Sequence, residues 1–103
     1  MEQLIFKALA DPTRRAIFEK LAATPQNATE LRRGFRITQP AVSQHLAVLR
    51  EAKLLKERRE GRFTQYEVEP NGLLVLAAWL SKYRAYWPAR VADLGALLKE
   101  MDR

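Results

Sequence analysis

A group of polar side chains stands at the start of one predicted helix, in a pattern that suits hydrogen bonding to DNA bases. Thr38 is a typical helix N-cap, and Pro40 fits the first turn that follows it. Apolar residues at spacings of four and three predict the buried face of this helix, namely Val42, Leu46 and Leu49. Gln39, Ser43 and Gln44 then fall on the solvent side. A glutamine amide carries a donor and an acceptor, which match N7 and N6 of adenine in the major groove.

Ser43 and His45 could also suggest a nucleophile and its base, but their spacing argues against catalysis. Residues two apart on a helix do not face one another, and no carboxylate stands where it could orient His45. The sequence contains no cysteine, which excludes cysteine nucleophiles, disulfides and thiolate metal sites. We therefore expect a binding protein without a cofactor rather than an enzyme. His45 can either contact DNA or form a local hydrogen bond.

The positive charge is concentrated in one third of the chain. The net charge of the 103 residues is +6. The stretch from Glu30 to Arg62 holds nine basic and four acidic residues, so it carries +5 of this total. Such a concentrated basic region is the electrostatic footprint of a nucleic-acid binder. A solvated face that keeps the protein soluble is the alternative explanation.

The elements before the polar helix are short and marked by capping signals. The apolar spacing over Gln3 to Leu9 predicts a first helix, and Asp11-Pro12 predicts the start of a second. Asn27 and Glu30 form a capping-box pattern that opens a short third helix ending near Gly34. Together with the helix after Thr38, this third helix makes a predicted helix-turn-helix, whose second helix enters the major groove.

A basic hairpin follows the helix-turn-helix. Residues 55–59 and 63–68 are predicted strands around the turn signal Glu60-Gly61-Arg62. Arg58, Arg59 and Arg62 lie near this turn, where they could reach an adjacent minor groove or the DNA backbone.

The chain after residue 72 is predicted to be one long helix. Its apolar stripe has spacings of three and four from Leu76 to Met101, broadened by Trp79 and Tyr86, and Pro88 is expected to kink or break it near Trp87. A helix over residues 73–101 would reach roughly 40 Å, longer than so small a core can cover. Packing against a second copy of the chain is the simplest use of the surplus. A pocket for an aromatic effector is the alternative use of its aromatic residues.

Three segments of the sequence resemble the ArsR/SmtB winged-helix repressors. They are ALADPTRRAIFEKL, ITQPAVSQHLAVLREAKLL and RREGRFTQYEV, and the resemblance covers residues 3 to about 98. It implies a mainly α winged helix-turn-helix in the order α-α-α-α-β-β-α. It also implies a homodimer that represses transcription from a pseudo-palindromic duplex operator. The implied dimer interface comes from the first and last helices: Leu4, Ile5, Trp79, Tyr83, Tyr86, Trp87, Val91, Leu94 and Leu98.

The same resemblance assigns the DNA contacts to two places. One is the start of the polar helix, with Thr38, Gln39, Pro40, Ser43, Gln44 and His45. The other is the hairpin, or wing, with Arg58, Arg59 and Arg62.

The sequence departs from the metal-sensing members of this family. Those members use a cysteine cluster, or histidines paired with carboxylates on the last helix. This chain has one histidine, His45, and its last helix offers only Asp93, Glu100 and Asp102 as hard ligands. Its final segment, WLSKYRAYWPARVADL, is more similar to metal-free autorepressors of the family. We therefore expect no metal site.

The resulting prediction is one domain over residues 1–103. It comprises a helix-turn-helix at 27–52, a wing at 54–69, and dimerisation helices at 1–10 and 72–101. The first residues lack a signal-peptide pattern and no apolar run reaches 18 residues, so we expect a cytoplasmic bacterial protein without membrane contact. An effector-responsive sensor with a pocket at the dimer interface, and a winged-helix module that binds another protein, remain alternatives.

Overall fold

The computed structural model describes residues 2–89. Within that range the chain forms α1 (Glu2–Ala10), α2 (Pro12–Ala23), β1 (Gln26–Asn27), α3 (Ala28–Arg32), α4 (Gln39–Glu51), β2 (Leu55–Glu60), β3 (Phe63–Val68) and α5 (Pro70–Ser81), followed by a 3-10 turn at Arg84–Tyr86. The predicted fold class, mainly α with a hairpin wing, is confirmed, as is the order of the predicted elements.

The predicted capping signals set the starts of three helices. The Asp11 side chain accepts a hydrogen bond from the Arg14 backbone N–H at 2.8 Å, at the start of α2. At the start of α3, Asn27 and Glu30 form a complete capping box. Thr38 caps α4. Because these bonds satisfy backbone donors that a helix leaves free, each helix begins at a defined residue.

The strands form one antiparallel sheet in the order β1-β3-β2. The hairpin register pairs Leu55 with Val68 and Glu60 with Phe63. The two-residue strand β1 pairs Gln26 with Tyr66 and Asn27 with Gln65. β1 was not predicted, because two residues are too short to show a periodicity. Its effect is to join the start of α3 to the wing.

The core lies where the helices of the helix-turn-helix meet α1, α2 and the base of the wing. All three apolar residues predicted for the inner face of α4 are buried. The core cluster comprises Ile5, Ala8, Ile17, Leu21, Leu31, Val42, Leu46, Leu49, Ala52, Leu54 and Leu55. Phe35, in the turn between α3 and α4, packs against this cluster.

The last helix is shorter than the sequence predicted. It starts at Pro70, with Glu69 as its N-cap, and it ends at Ser81. The prediction of a helix continuing from residue 73 towards Trp87 is therefore wrong. Pro88 explains why no helix continues past Trp87, because its ring has no N–H and would clash with the Arg84 carbonyl of a continuing helix. The residue before a proline also avoids the helical region, and Trp87 is extended at φ −79° and ψ 140°.

One residue of the predicted dimer interface is buried in the core, and three others lie outside the described residues. Ile5 is wholly buried in the chain's own core, so its prediction as an interface residue is wrong. The helical spacing on α1 could not distinguish the side that packs inward from the side that faces a partner. Val91, Leu94 and Leu98 lie outside the described residues.

Candidate nucleic-acid interface

The amino-terminal end of α4 is held in place by its own cap. The Thr38 Oγ1 accepts a hydrogen bond from the Ala41 backbone N–H at 3.2 Å, and Pro40 lies in the first turn. Proline fixes φ near its helical value and needs no partner for an N–H at this position. The residues that follow Thr38 are therefore presented on a preformed first turn.

The outer face of α4 is polar and exposed. Ser43, Gln44 and Ala47 are exposed, whereas Gln39 is half-buried. Residues four apart lie one above the other on a helix, so Gln39 is aligned with Ser43, and Pro40 with Gln44. Among residues 2–89, neither the Ser43 nor the Gln44 side chain has a hydrogen-bond partner, so both keep their polar atoms free for base edges. The predicted contacts of these residues with DNA stay predictions.

His45 points to a different neighbour. Its Nδ1 lies 3.3 Å from Nη1 of Arg14, on α2, and the ring is half-buried. An arginine can only donate, so this contact requires Nδ1 to accept and the ring proton to sit on Nε2. The structure therefore separates His45 from the exposed pair Ser43 and Gln44.

Arg14 joins three helices. Its Nε donates to the Ala8 carbonyl at 2.7 Å and its Nη2 to the Lys7 carbonyl at 3.1 Å. These carbonyls belong to the last turn of α1, whose final carbonyls lack helical partners. The same guanidinium contacts the His45 ring through Nη1. Arg14 thus belongs to α2, caps the end of α1 and contacts α4.

The Asp-Pro-Thr-Arg-Arg segment, residues 11–15, therefore caps both the end of α1 and the start of α2. Asp11 caps the start of α2, while Arg14 and Arg15 donate to carbonyls at the end of α1, with Arg15 Nη1 3.3 Å from the Leu9 carbonyl. The backbone N–H of Arg14 is the main reason why the pKa of Asp11 lies below its usual value, since it favours the ionised carboxylate. Sequence reasoning missed the arginine contacts, although two arginines just after a cap were a usable signal.

The three arginines of the wing differ in direction and in ion pairing. Alternate residues of a strand face opposite sides of the sheet, so Arg58 and Arg59 point in opposite directions. Arg58 has carboxylate partners, with Nη1 3.4 Å from Glu60 and Nε 3.8 Å from Glu67. Arg59 and Arg62 are exposed and form no ion pair within residues 2–89. Lys56 of β2 is likewise exposed and unpaired within the described residues, so the free positive charge of the wing lies at Lys56, Arg59 and Arg62.

A salt bridge connects α4 to the wing. Arg50, in the last turn of α4, pairs with Glu57 of β2. Glu57 shares its side of the strand with Arg59, so the unpaired Arg59 is on the side that faces α4. Burial is the main reason why the pKa of the nearby Tyr66 hydroxyl is raised, and the negative charge of Glu57 raises it further. The helix and the wing are thus connected through side chains as well as through the turn between them.

The turn between α4 and β2 has a conformation that fixes the angle between helix and wing. The Leu54 N–H bonds the Leu49 carbonyl and the Lys53 N–H bonds the Arg50 carbonyl, each at 3.0 Å. This is a Schellman motif, and Lys53 occupies its left-handed position with φ 61°. The Lys53 carbonyl then accepts from the Gly72 N–H at 2.8 Å, which holds the start of α5 against the turn.

An apolar surface lies where α1 meets α5. The Phe6 and Trp79 rings are edge-to-face at 4.9 Å, and Trp79 and Tyr83 are 5.0 Å apart. On α1, on α5 and in the segment after α5, the large exposed apolar residues are Leu4, Phe6, Leu73, Leu74, Leu80, Tyr83 and Tyr86. Leu4 and Phe6 are two apart on α1 and therefore face different sides of that helix. The surface around Phe6 thus brings together two of the residues predicted for a dimer interface, Trp79 and Tyr83, and the interface contacts of Leu4 and Tyr86 stay predictions.

Neither a metal cluster nor a membrane span is found in the part of the chain that the structure describes. No group of three or more histidine, cysteine, aspartate or glutamate side chains is placed to hold a metal ion among residues 2–89. None of the described helices has the length and apolar character needed to cross a bilayer.

Comparison with known proteins identifies similar sequences and structures. A family model described as a helix-turn-helix domain matches residues 9–58. The HTH-type transcriptional regulator Rv2034 of Mycobacterium tuberculosis is 45% identical over 78 residues, covering 76% of this chain and 73% of the relative. The transcriptional repressor SdpR of Bacillus subtilis is 32% identical, covering 77% of this chain and 88% of the relative. The arsenical resistance operon repressor of Escherichia coli is 35% identical, covering 96% and 83%.

Solved structures show the same architecture. The crystal structure of the ArsR family transcriptional regulator RHA00566 superimposes with a TM-score of 0.74 at 30% identity, covering 84% of this chain and 90% of that one. An ArsR-like transcriptional regulator from Rhodococcus sp. RHA1 superimposes with a TM-score of 0.73 at 27% identity, covering 92% and 90%.

Proposed function

The chain belongs to the ArsR family of helix-turn-helix regulators, which bind DNA and are not enzymes, and from that premise we propose that it represses transcription as a homodimer. Its target is a pseudo-palindromic duplex operator in the cytoplasm, and repression follows from occupancy of that operator. The observation that carries this proposal is the exposed polar face of α4 next to a wing with unpaired arginines.

In this proposal the two surfaces have different tasks. Ser43 and Gln44 contact base edges in the major groove, where side-chain amides discriminate between base pairs. Arg59 and Arg62 contact the backbone or the adjacent minor groove and supply affinity without much sequence choice. Because Arg58 already has two carboxylate partners, its contribution to DNA binding is smaller than that of its two neighbours.

The apolar surface across α1 and α5 supports the homodimer. A patch of large exposed apolar residues on a small monomer commonly marks an interface, and a two-fold axis through it would present two α4 helices to one duplex. Two half-sites about one helical turn apart are the matching operator geometry.

We further propose that the chain acts without a metal ion. The sequence has no cysteine and a single histidine, and that histidine already contacts Arg14. Thiolate ligands are therefore absent, and imidazole ligation would require the loss of a contact within the fold. Addition or chelation of zinc is expected to leave DNA affinity unchanged.

Fluorescence anisotropy tests the DNA-binding part of the proposal. The duplex immediately upstream of the protein's own gene is compared with a shuffled duplex at two salt concentrations. Tight binding to the first and weak binding to the second is expected. Equal, salt-sensitive binding to both would contradict recognition of this duplex and would require another operator or an effector. No binding to either at low salt would favour a module that binds proteins.

Sedimentation equilibrium tests the dimer. Tyr83→Arg places a charge on this apolar surface, beside Trp79, and is expected to yield a monomer with the wild-type fold. Ala23→Arg, at an exposed position at the end of α2, is the matched control and should remain a dimer. A Tyr83→Arg protein that stays dimeric would exclude this surface as the interface.

A further inference from the structure

The corner between α3 and α4 forms an open groove, and three of its seven lining residues are arginines. Its volume is about 580 Å³, and its lining includes Arg32, Arg33 and Arg36 together with the hydroxyl-bearing Thr29 and Thr38. Phe35 and Ile37 complete the lining, and no carboxylate contributes to it. Three arginines and two hydroxyl-bearing residues thus line one open groove.

The charge of this groove is not neutralised inside the fold. Within residues 2–89, none of its three arginines forms an ion pair. The carboxylate nearest in sequence is Glu30, and its Oε1 accepts from the Asn27 backbone N–H at 3.0 Å. Unpaired positive charges that line one groove favour the binding of an anion there.

The groove is also partly preorganised. Arg32 Nε donates to the Ile37 carbonyl at 3.2 Å, which holds its side chain across the turn. Arg33 and Arg36 have no such bond within the described residues, so their donors are free. The Thr38 Oγ1 accepts from the Ala41 N–H, while its own hydroxyl proton can still be donated. Arginine forks and hydroxyl groups are the usual partners of a phosphate oxygen.

From this geometry we propose that the groove is a phosphate-binding subsite, which takes one DNA backbone phosphate per protomer. The proposal deepens the proposed function and depends on it for the source of the phosphate. Thr38 both lines the groove and caps α4, so a phosphate bound here fixes the first turn of α4 relative to the backbone. Arg33 and Arg36 hold the phosphate, and Arg32 braces the turn. A free phosphate shares this chemistry and is the alternative source.

The salt dependence of DNA binding provides the first test. The Arg33→Gln/Arg36→Gln double variant is compared with Lys7→Gln/Arg84→Gln, which removes the same charge from α1 and the 3-10 turn. Each phosphate contact contributes about 0.9 to the slope of log K against log salt concentration. Loss of one contact in each protomer of a dimer should therefore make the slope shallower by roughly 1.8. The loss of affinity should be similar on specific and shuffled duplexes.

The control variant should change the slope by much less than the groove variant, and both should remain folded dimers by circular dichroism and sedimentation. Equal slope changes in the two variants would overturn the proposal, because net charge alone would then explain the effect.

A titration of the wild-type protein with inorganic phosphate separates the two sources and does not depend on DNA binding. Amide resonances of residues 29–38 are followed by NMR, with sodium chloride matched in ionic strength. A shallower slope without phosphate-induced shifts supports the DNA backbone as the source. A shallower slope with shifts that the double variant loses supports the same subsite for both sources.

Shifts together with an unchanged slope would overturn the DNA contact and leave a site for a free anion. If the wild-type protein binds no duplex at all, the proposed function fails, and the phosphate titration still decides whether the groove binds phosphate.

Discussion

Gly72→Ala is expected to destabilise the chain, because the start of α5 lies directly against the turn between α4 and β2. A Cβ at this position would lie 2.6 Å from the Lys53 carbonyl oxygen, 2.9 Å from that of Ala52 and 2.9 Å from a methyl carbon of Leu54. The first two contacts are with backbone atoms, which cannot rotate away. Ordinary contact starts at 3.4 Å, so α5 would have to move by about 0.8 Å.

The expected magnitude follows from three contributions. Overpacking at a buried contact costs about 1–3 kcal/mol. The hydrogen bond from the Gly72 N–H to the Lys53 carbonyl, 2.8 Å long, would be stretched, with a loss of up to about 1 kcal/mol. Alanine returns about 1 kcal/mol through its higher helix propensity. The free energy of unfolding should therefore fall by about 2 kcal/mol, which lowers Tm by roughly 8–16 °C in a domain of this size.

Thermal unfolding followed by circular dichroism measures this effect, at one protein concentration because association affects Tm. Gly34→Ala is the matched control. Its Cβ would approach only the end of the Lys20 side chain, at 1.9 Å from Nζ, and a lysine can swing away. Its stability should change by less than about 0.5 kcal/mol. If the Gly72→Ala protein had the Tm of the wild type, or if both variants lost the same stability, close contact of the added Cβ with the backbone would not be the cause.

Four other predictions test separate features. Lys53→Gly removes a side chain from a left-handed position (φ 61°) and should raise the free energy of unfolding by about 1 kcal/mol; an unchanged or lower Tm would contradict this. Asp11 has a lowered pKa, so its ionised form stabilises the fold above the unfolded-state pKa, and that stability is lost as pH falls through the folded-state pKa. Asp11→Asn should therefore show a shallower decline of Tm on acidification, and identical curves would be the contrary result. Arg62→Gln should make the salt slope of DNA binding shallower by roughly 1.8 per dimer, whereas Arg58→Gln, which loses an already paired side chain, should change it less. Gln44→Ala should relax base preference in a binding-site selection while leaving the dimer intact, and an unchanged preference would remove Gln44 from the reading surface.

The features that the sequence predicted well depend on neighbouring residues. Asp11, Asn27 and Thr38 each bond a backbone N–H three residues away, so a short stretch of sequence contains the whole interaction. The hairpin is equally local, because its turn at Gly61 needs a positive φ, 61°, which glycine adopts readily. Three helix starts and the wing were therefore predictable.

The features that the sequence could not predict depend on residues far apart in the chain. The Arg14–His45 contact joins positions 31 apart, and Arg50 pairs with Glu57 only because the turn between them folds back. Ile5 was assigned to an interface because α1 has apolar residues on more than one side. The end of α5 was misplaced for another reason: the regular apolar spacing continues past Ser81, where the helix ends. Pro88 explains only the extended conformation of Trp87 directly before it.

The link between Arg14 and His45 has a consequence for engineering new specificities. Regulators are often redesigned by grafting the reading helix of one protein onto the scaffold of another. In this chain, positions 39, 43 and 44 could be exchanged freely by such a graft, since their side chains make no hydrogen bond within the described residues. Position 45 belongs to the scaffold, because its ring accepts from the guanidinium that closes α1. A graft that replaces His45 with a residue lacking an acceptor would remove this contact with Arg14, which links α4 to α2 and, through Arg14, to the end of α1.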